Sequence, residues 1–371
     1  MRLKFYQDVL KQSRLPWIDY ARGIAIILVV YRHIFEGFSR ALDGVDQYAY
    51  LEHANIIFYS FRMPLFFILS GIFIGKSLQK RSVQQIIINK FNILLWPYLI
   101  WATLQVSLQF LVSHYVNINA TRSWIDYMYI ALYPRQIDQF WYLYALFNVT
   151  VLYVMVRQLA KVKIGWQLAI GLVTFFISSY LSTHKIDLGF IYDILHYYIF
   201  FAIGDLVSKY MLDKSMYPKF SSWQAFLVLL PIFVIGQYYF LETNLAHGDY
   251  TYVEAYEPIL FMLIATSGCI FMFNISFILQ RWDIFKALRV VGYHSLYIYV
   301  SHVLVASATR VLLVKLGLTY VPLMLAICLF ISILVPIGIY YVALKLGAWW
   351  LYSLERPSES KIVTPKPQIA G

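Results

Sequence analysis

The sequence predicts an all-α, polytopic transmembrane helical bundle of about ten spans with both termini cytoplasmic. Three observations predict it. The 371 residues are 61% hydrophobic, 19% aromatic and only 13% charged, with a mean hydropathy of +0.64, where a soluble domain carries about 25% charged residues. Apolar runs long enough to cross a bilayer recur along the whole chain. Finally, 21 of the 30 Lys and Arg residues fall in alternate loops on one side, six fall on the other, and Arg32, Arg62 and Lys345 lie within spans. The positive-inside rule assigns the richer side, which carries both termini, to the cytoplasm.

The first span, near 18–39, opens Trp17-Ile-Asp19-Tyr-Ala-Arg22-Gly23 and carries Tyr31-Arg32-His33 deeper in. Eleven residues separate Arg22 from His33. At the helical repeat this returns to within about 20° of one face, roughly 16 Å along the axis. Such groups are costly in a bilayer and commonly mark a working site. His33, whose unperturbed pKa is near neutrality, is a candidate general base for a hydroxyl attacking an acyl group. Glu36, three residues on, is placed to orient the ring, and Asp19 to hold Arg22. Arg22 offers a planar fork of donors to phosphate oxygens of an anionic acyl donor. The plain alternatives are an interhelical histidine hydrogen bond and a snorkelling arginine anchor; the shared face and the nearby carboxylate favour the functional reading.

The second span, near 54–75, contains Phe61-Arg62-Met63-Pro64-Leu65-Phe66-Phe67-Ile68-Leu69-Ser70-Gly71. Arg62, Phe66 and Ser70 form a stripe at i, i+4, i+8, and Pro64 frees backbone carbonyls that a cavity or polar partner must satisfy. Arg62 either belongs to the site or pairs with a buried carboxylate. The loop residues Lys80, Arg81 and Lys90 precede the third span, near 91–113, which begins with Trp96-Pro97-Tyr98. The fourth span, near 140–156, opens Phe140-Trp141-Tyr142-Leu143-Tyr144 at its outer end. An aromatic belt is the default account of that cluster, and stacking of Trp141 and Tyr142 on a sugar ring the sharper one. Plain apolar runs near 164–181, 191–208, 223–241 and 258–279 give the next four spans. The acidic loop between the last two (Glu242, Asp249, Glu254, Glu257) reads as non-cytoplasmic.

The ninth span, near 292–314, reads Gly292-Tyr-His-Ser295-Leu-Tyr-Ile-Tyr299-Val-Ser-His302, and Gly292, Ser295, Tyr299 and His302 lie within about 80° of one another. Close helix packing explains the glycine and serine; His302, near mid-membrane, is placed to share a cavity with His33. The tenth run, 320–352, is over-long and ends in an interfacial segment around Trp349–Tyr352. Residues 1–355 thus read as one membrane-embedded domain and 356–371 as a short disordered cytoplasmic tail.

The net charge of +11 is dispersed over short loops, so it reports topology and affinity for anionic lipid headgroups and gives little support to nucleic-acid binding. Residues 1–16 are polar and show no cleavable signal. Cys269 and Cys328 fall in spans and read as small packing residues, and no metal-binding signature is present.

Taken in series, Arg22-x10-His33, Met63-Pro-Leu-Phe-Phe-x-x-Ser70-Gly71, Phe140-Trp-Tyr-Leu and Gly292-x-x-Ser295-Leu-x-x-Tyr299-x-x-His302 resemble the acyltransferase-3 family of integral-membrane acyltransferases. The nearest flavour is the stand-alone sugar O-acetyltransferases similar to fucose 4-O-acetylase. The resemblance covers nearly the whole chain and implies transfer of acetyl from acetyl-CoA, with no bound cofactor. The acceptor it implies is a carbohydrate or lipid-linked glycan such as exopolysaccharide or O-antigen, at a bacterial plasma (inner) membrane. It makes His33 the catalytic base with Glu36 beside it. Arg22, Arg62, Lys80, Arg81 and Lys90 are expected on the donor, although a lysine stands where the family's basic cluster has a second arginine. Ser70, Trp141, Tyr142, Ser295, Tyr299 and His302 are expected to line the acceptor cavity. Some relatives append an esterase-like domain; relay through one is not expected within this chain. The rival class is a carrier, either a polysaccharide or lipid-linked sugar flippase or a small-solute transporter; a structural subunit of a glycan-export complex is a third possibility. Neither the acceptor hydroxyl nor the oligomeric state is encoded in a motif.

Overall fold

Apolar runs become helices throughout, and the places where those runs carry charge decide how the helices pack. The computed structural model describes residue 10, residues 15–112 and residues 123–356, and no strand occurs among them. The helices are α1 (Pro16–Ala41), α2 (Ala49–Ile57), α3 (Tyr59–Gly71), α4 (Ile74–Lys80), α5 (Val83–Lys90), α6 (Trp96–Val112), α7 (Asp126–Leu132), α8 (Trp141–Gln158) and α9 (Ile164–Thr183). They continue with α10 (Phe190–Met211), α11 (Tyr217–Phe220), α12 (Trp223–His247), α13 (Tyr252–Tyr256), α14 (Pro258–Trp282), α15 (Lys286–Tyr293), α16 (Ser295–Lys315) and α17 (Val321–Lys345).

Nine helical stretches among the described residues are long and apolar enough to cross a membrane, so the chain is a polytopic integral-membrane protein. Nine of the expected ten spans correspond to these stretches, and the remaining one falls on α1. That helix is 26 residues long, but Asp19, Arg22, Arg32, His33, Glu36 and Arg40 lower its hydropathy. Such a helix is stable in a bilayer only when its polar face is surrounded by protein, and α1 is indeed packed by α3, α14, α15, α16 and α17. Its start is pinned to the 280–289 region: the Trp17 amide donates to Gln280 Oε1 (2.9 Å) and the Tyr20 hydroxyl to the Ile284 carbonyl (2.5 Å).

Three expected spans differ in detail. The second is broken at Phe58 between α2 and α3 and again before α4. Pro64 has no N–H to give the Ser60 carbonyl, and Cys269 Sγ donates to the next carbonyl, that of Phe61 (3.6 Å). The third is continuous with α5 through a π-helical turn at Phe91–Leu95. The ninth begins at Ser295, because residues 286–293 form α15, a separate amphipathic helix laid across the start of α1. That contact is close enough to require glycine on both sides, Gly292 against the Asp19 carbonyl and Gly23 against the Leu288 carbonyl. The over-long tenth run ends at Lys345, and Trp349–Leu351 forms the short interfacial turn. Cys269 and Cys328 are free and buried. The tail from 357 lies outside the described residues.

Candidate active site

His33 sits on the face of α1 that meets α16, with its ring centroid 5.3 Å from that of His302. The helical spacing of Tyr299 and His302 turns both inward, where each is buried. His302 Nδ1 lies 2.8 Å from the Tyr299 carbonyl and 3.1 Å from that of Ile298. Carbonyl oxygens only accept, so Nδ1 carries the proton and Nε2 is left as a lone pair. That Nε2 is buried with no hydrogen-bond partner. No hydrogen bond joins His33 to a described residue. Within its electrostatic reach are His302, Arg32, Arg62 and Arg40.

From His302 a chain of rings leads toward one end of the bundle. Tyr299 is 6.0 Å from His302 and 5.4 Å from Tyr142, centroid to centroid, and Tyr142 packs on Phe66 and Phe67 at 5.3 and 5.5 Å. The Tyr299 hydroxyl donates to the Gln139 carbonyl. The Tyr142 hydroxyl lies beside Ser70 and within the electrostatic reach of Arg22. Arg22 and Arg81 in turn bear on Lys90, while Lys80 is exposed on the last turn of α4. Arg22, Lys90, Arg81, Ser70, Tyr142, Tyr299, His302 and His33 thus follow one another in ring contact or electrostatic reach, drawn from α1, α3, the turn after α4, α5, α8 and α16. Ser295 stands at the start of α16, half-buried.

Two expectations take a different shape. Glu36 is clasped by arginines: Arg32 Nε donates to its Oε1 at 2.6 Å, and Arg40 Nη2 lies 3.9 Å from its Oε2. Arg32 stands one full turn before Glu36, at the spacing where ion pairs form, and it takes the carboxylate that the His33 ring was expected to use. Arg62 groups with Arg32, Glu36, Tyr59 and Tyr197 rather than with Arg22 and Lys90. It is 1% exposed, donates from Nη1 to Asn55 Oδ1 at 3.4 Å, and has Nε and Nη2 buried without partners. No carboxylate pairs with it among the described residues.

The cluster at 140–144 is not a lipid-facing belt, because Phe140, Trp141 and Tyr142 are all buried. The Pro134–Phe140 segment folds over them and sets the Arg135 guanidinium 4.5 Å above the Trp141 ring. Asp138 within it adopts φ +61°, a conformation unusual for a non-glycine residue and costing on the order of 1–3 kcal/mol. Its carboxylate takes Gln105 Nε2 (3.2 Å) and Gln109 Nε2 (3.3 Å), which hold the segment in place.

Several polar residues escaped the sequence reading. Arg135 pairs with buried Asp193 at 2.7 Å, Arg157 with Asp205, and buried Glu254 accepts from the Tyr59 hydroxyl at 2.5 Å while His196 Nε2 lies 3.2 Å away. Burial raises the Glu254 carboxyl above the ordinary carboxylate range, opposed by the Tyr59 hydrogen bond and by Arg135 and Arg32. The signal for Asp193 and Asp205 was present: both are carboxylates within an apolar run, and each implies a cationic partner. Glu254 carried no such signal, since its loop reads as ordinary solvent-exposed chain.

No curated protein and no solved structure matches the chain. The family model described as an acyltransferase domain matches residues 15–342, from the start of α1 to within the last turn of α17, and so includes every residue of that series. The chain therefore belongs to the acyltransferase-3 family of membrane acyltransferases.

Proposed function

We propose that this acyltransferase moves an acetyl group from cytoplasmic acetyl-CoA to a hydroxyl of a cell-surface or lipid-linked glycan, in a bacterial plasma membrane. The observation that carries the reading is the His33–His302 contact at 5.3 Å, lying inside the bundle at one end of the ring series whose other end is basic. A buried base with a second buried imidazole beside it suits proton transfer to and from a hydroxyl. The basic end, with Arg22, Arg81, Lys80 and Lys90, suits the phosphates of CoA and is the one that the positive-inside rule assigns to the cytoplasm.

In the reaction His33 takes the acceptor hydroxyl proton as that oxygen attacks the thioester carbonyl. The carbon–sulfur bond then breaks, and the imidazolium returns the proton to the CoA thiolate. Ester and free CoA are the products. His302 Nε2, without a hydrogen-bond partner among the described residues, is the neighbouring acceptor that a turn of the His33 ring would engage on its second N–H, which would fix the tautomer that presents a lone pair to substrate. His302 is thus a positioning residue, with Tyr142 and Tyr299 between it and the basic end. Direct transfer needs no acetyl-enzyme; label retained on His33 in the absence of acceptor would replace it with a two-step route.

The test is release of CoA thiol by the purified protein in lipid nanodiscs, with acetyl-CoA and a glycan extract of the host. Glycan-dependent release, weakened in Arg22→Ala chiefly through a higher KM for acetyl-CoA, is expected. Translocation of lipid-linked sugar with no thioester cleavage would overturn the enzyme reading in favour of a carrier.

A further inference from the structure

The end of the bundle opposite Arg22 and Lys90 contains two adjoining hollows of about 310 and 180 Å³ that share Arg135, Ser182, Asp187, Gly189 and Tyr192. The smaller one continues to Tyr59, Thr251 and Glu254. We propose that this double hollow is the acceptor-binding site and that it takes a neutral pyranose ring of the glycan; the inference rests on the acyl-transfer reading above.

Size and chemistry both select such a ligand. The larger hollow lies at the lower end of the range for small-molecule sites, about 300–1,000 Å³, so one sugar unit fits where a nucleotide-bearing donor does not. Lys185 and Asp187 line the larger hollow with opposite charge, and the remaining ionisable groups are held by protein partners. Arg135 is neutralised by Asp193 at 2.7 Å and held between the faces of Trp141 (4.5 Å) and Tyr192 (5.1 Å). Glu254 is held by the Tyr59 hydroxyl. What remains is a set of fixed donors and acceptors beside aromatic surface, the combination that binds hydroxyls and the apolar face of a sugar. A polyphosphate would meet two carboxylates there, Asp187 and Glu254, against the single lysine Lys185 on the lining and an arginine already paired with Asp193.

The hollow is a built feature of the backbone. Gly189 has φ +58°, and a Cβ there would lie 2.0 Å from the Leu132 carbonyl, so only glycine lets the 184–189 turn close against Leu132 and Tyr133. Asp187 Oδ1 accepts the Gly189 amide at 2.7 Å and fixes the turn. The hollow also leads toward His33. The Tyr59 ring lies 5.7 Å from both the Arg32 and the Arg62 guanidinium carbons, and both arginines bear on His33. Arg62 Nε and Nη2 are buried with no hydrogen-bond partner among the described residues; Arg62 adjoins the Tyr59 ring, which lines the smaller hollow, and is within electrostatic reach of His33. A buried guanidinium left in that state is expensive unless a ligand oxygen completes it.

Ser182→Cys places a thiol in the wall common to both hollows, against a background in which both native cysteines are buried. In nanodiscs, its rate of reaction with a water-soluble maleimide is measured with methyl pyranosides, with the monosaccharide pool released from the host's surface glycan, and with CoA. The expected result is slowing by a sugar, about tenfold once the sugar reaches ten times its Kd, no slowing by CoA, and loss of the sugar effect when Tyr192→Leu is added. Slowing by CoA, or by none of the sugars, overturns the assignment. The labelling is read without donor, so it fails independently of thiol release, on which the acyl-transfer reading stands or falls.

Discussion

Gly292→Ala tests whether the polar face of α1 is positioned by the helix that crosses it. A Cβ on Gly292 would lie 1.8 Å from the Asp19 carbonyl oxygen and 2.8 Å from the Gly23 amide nitrogen, whereas ordinary contact begins at 3.4 Å. Both atoms are backbone, so no rotamer relieves the clash and α15 must withdraw from α1 by roughly 1.6 Å, an overpacking that costs about 1–3 kcal/mol. The displaced region cannot move freely. Tyr20 is tied to Ile284, Trp17 to Gln280, and Arg289 Nη2 to the Leu10 carbonyl at 3.1 Å. Arg22 lies between Asp19 and Gly23 on the strained segment. Misplacing a substrate-positioning group by about 1 Å costs up to roughly 10²-fold in rate. The assay is kcat/KM for acetyl-CoA together with the thermal midpoint in nanodiscs, with Gly338→Ala as control. Nothing lies within 4 Å of a Cβ at Gly338, so that variant should be as active as wild type and stabler by about 0.5–1 kcal/mol. Gly292→Ala should lower both the midpoint and kcat/KM, with the acceptor KM unchanged. A Gly292→Ala protein with wild-type stability and wild-type kcat/KM would refute the reasoning.

Other outcomes follow from the same contacts. His302→Ala removes the unpartnered Nε2 and should reduce kcat by about 10–10²-fold, with the acid limb of the pH–rate profile moved, while His302→Gln, which keeps an acceptor, recovers part of the loss; an unchanged profile in both would reduce His302 to packing. Arg22→Lys keeps charge but loses the planar fork, so the KM for acetyl-CoA should rise about tenfold or more at constant kcat; equal KM values would remove Arg22 from the donor. Glu254 lies outside the membrane-length helices, and its carboxyl is raised by burial. The folded chain therefore binds that proton more readily than the unfolded chain, and stability is gained as pH falls through the folded-state pKa. The thermal midpoint of wild type should accordingly gain on that of Glu254→Gln as pH is lowered from neutral, and a constant difference across that range would contradict the assignment.

The helical class and most span positions were legible because hydropathy and loop charge act on long segments, where single residues average out. α1 stood out in the sequence for the opposite reason: Arg22 and His33 are individually costly in a bilayer and demand protein around them. The face shared by Tyr299 and His302 followed from helical periodicity, and the structure brings it to His33. What could not be read was tertiary pairing. Glu36 is at a favourable spacing from both Arg32 and His33, and nothing local decides between them; three-dimensional placement gives the carboxylate to Arg32. Arg62 was visible as costly, but its company (Tyr59, Asn55 and Arg32) depends on the break at Phe58, which no proline or glycine marks. Of the two accounts of the 140–144 cluster, the lipid-facing belt fails because a 3₁₀ segment with Asp138 at positive φ lies over Trp141, a conformation that sequence patterns disfavour. Of α15, residues 286–291 read as loop because Lys286 and Arg289 mark them as such, and Gly292 and Tyr293 were drawn into the ninth span; only the turn at His294, bonded to Tyr341 at 2.7 Å, separates the two helices.

The measurement that most directly tests the central claim is transfer of radiolabelled acetyl from CoA to host glycan by wild type and His33→Ala, each shown to be folded by its thermal midpoint. A base whose loss removes general catalysis should cost about 10²–10⁴-fold in transfer with donor binding retained. Transfer by a folded His33→Ala protein at the wild-type rate would contradict the account.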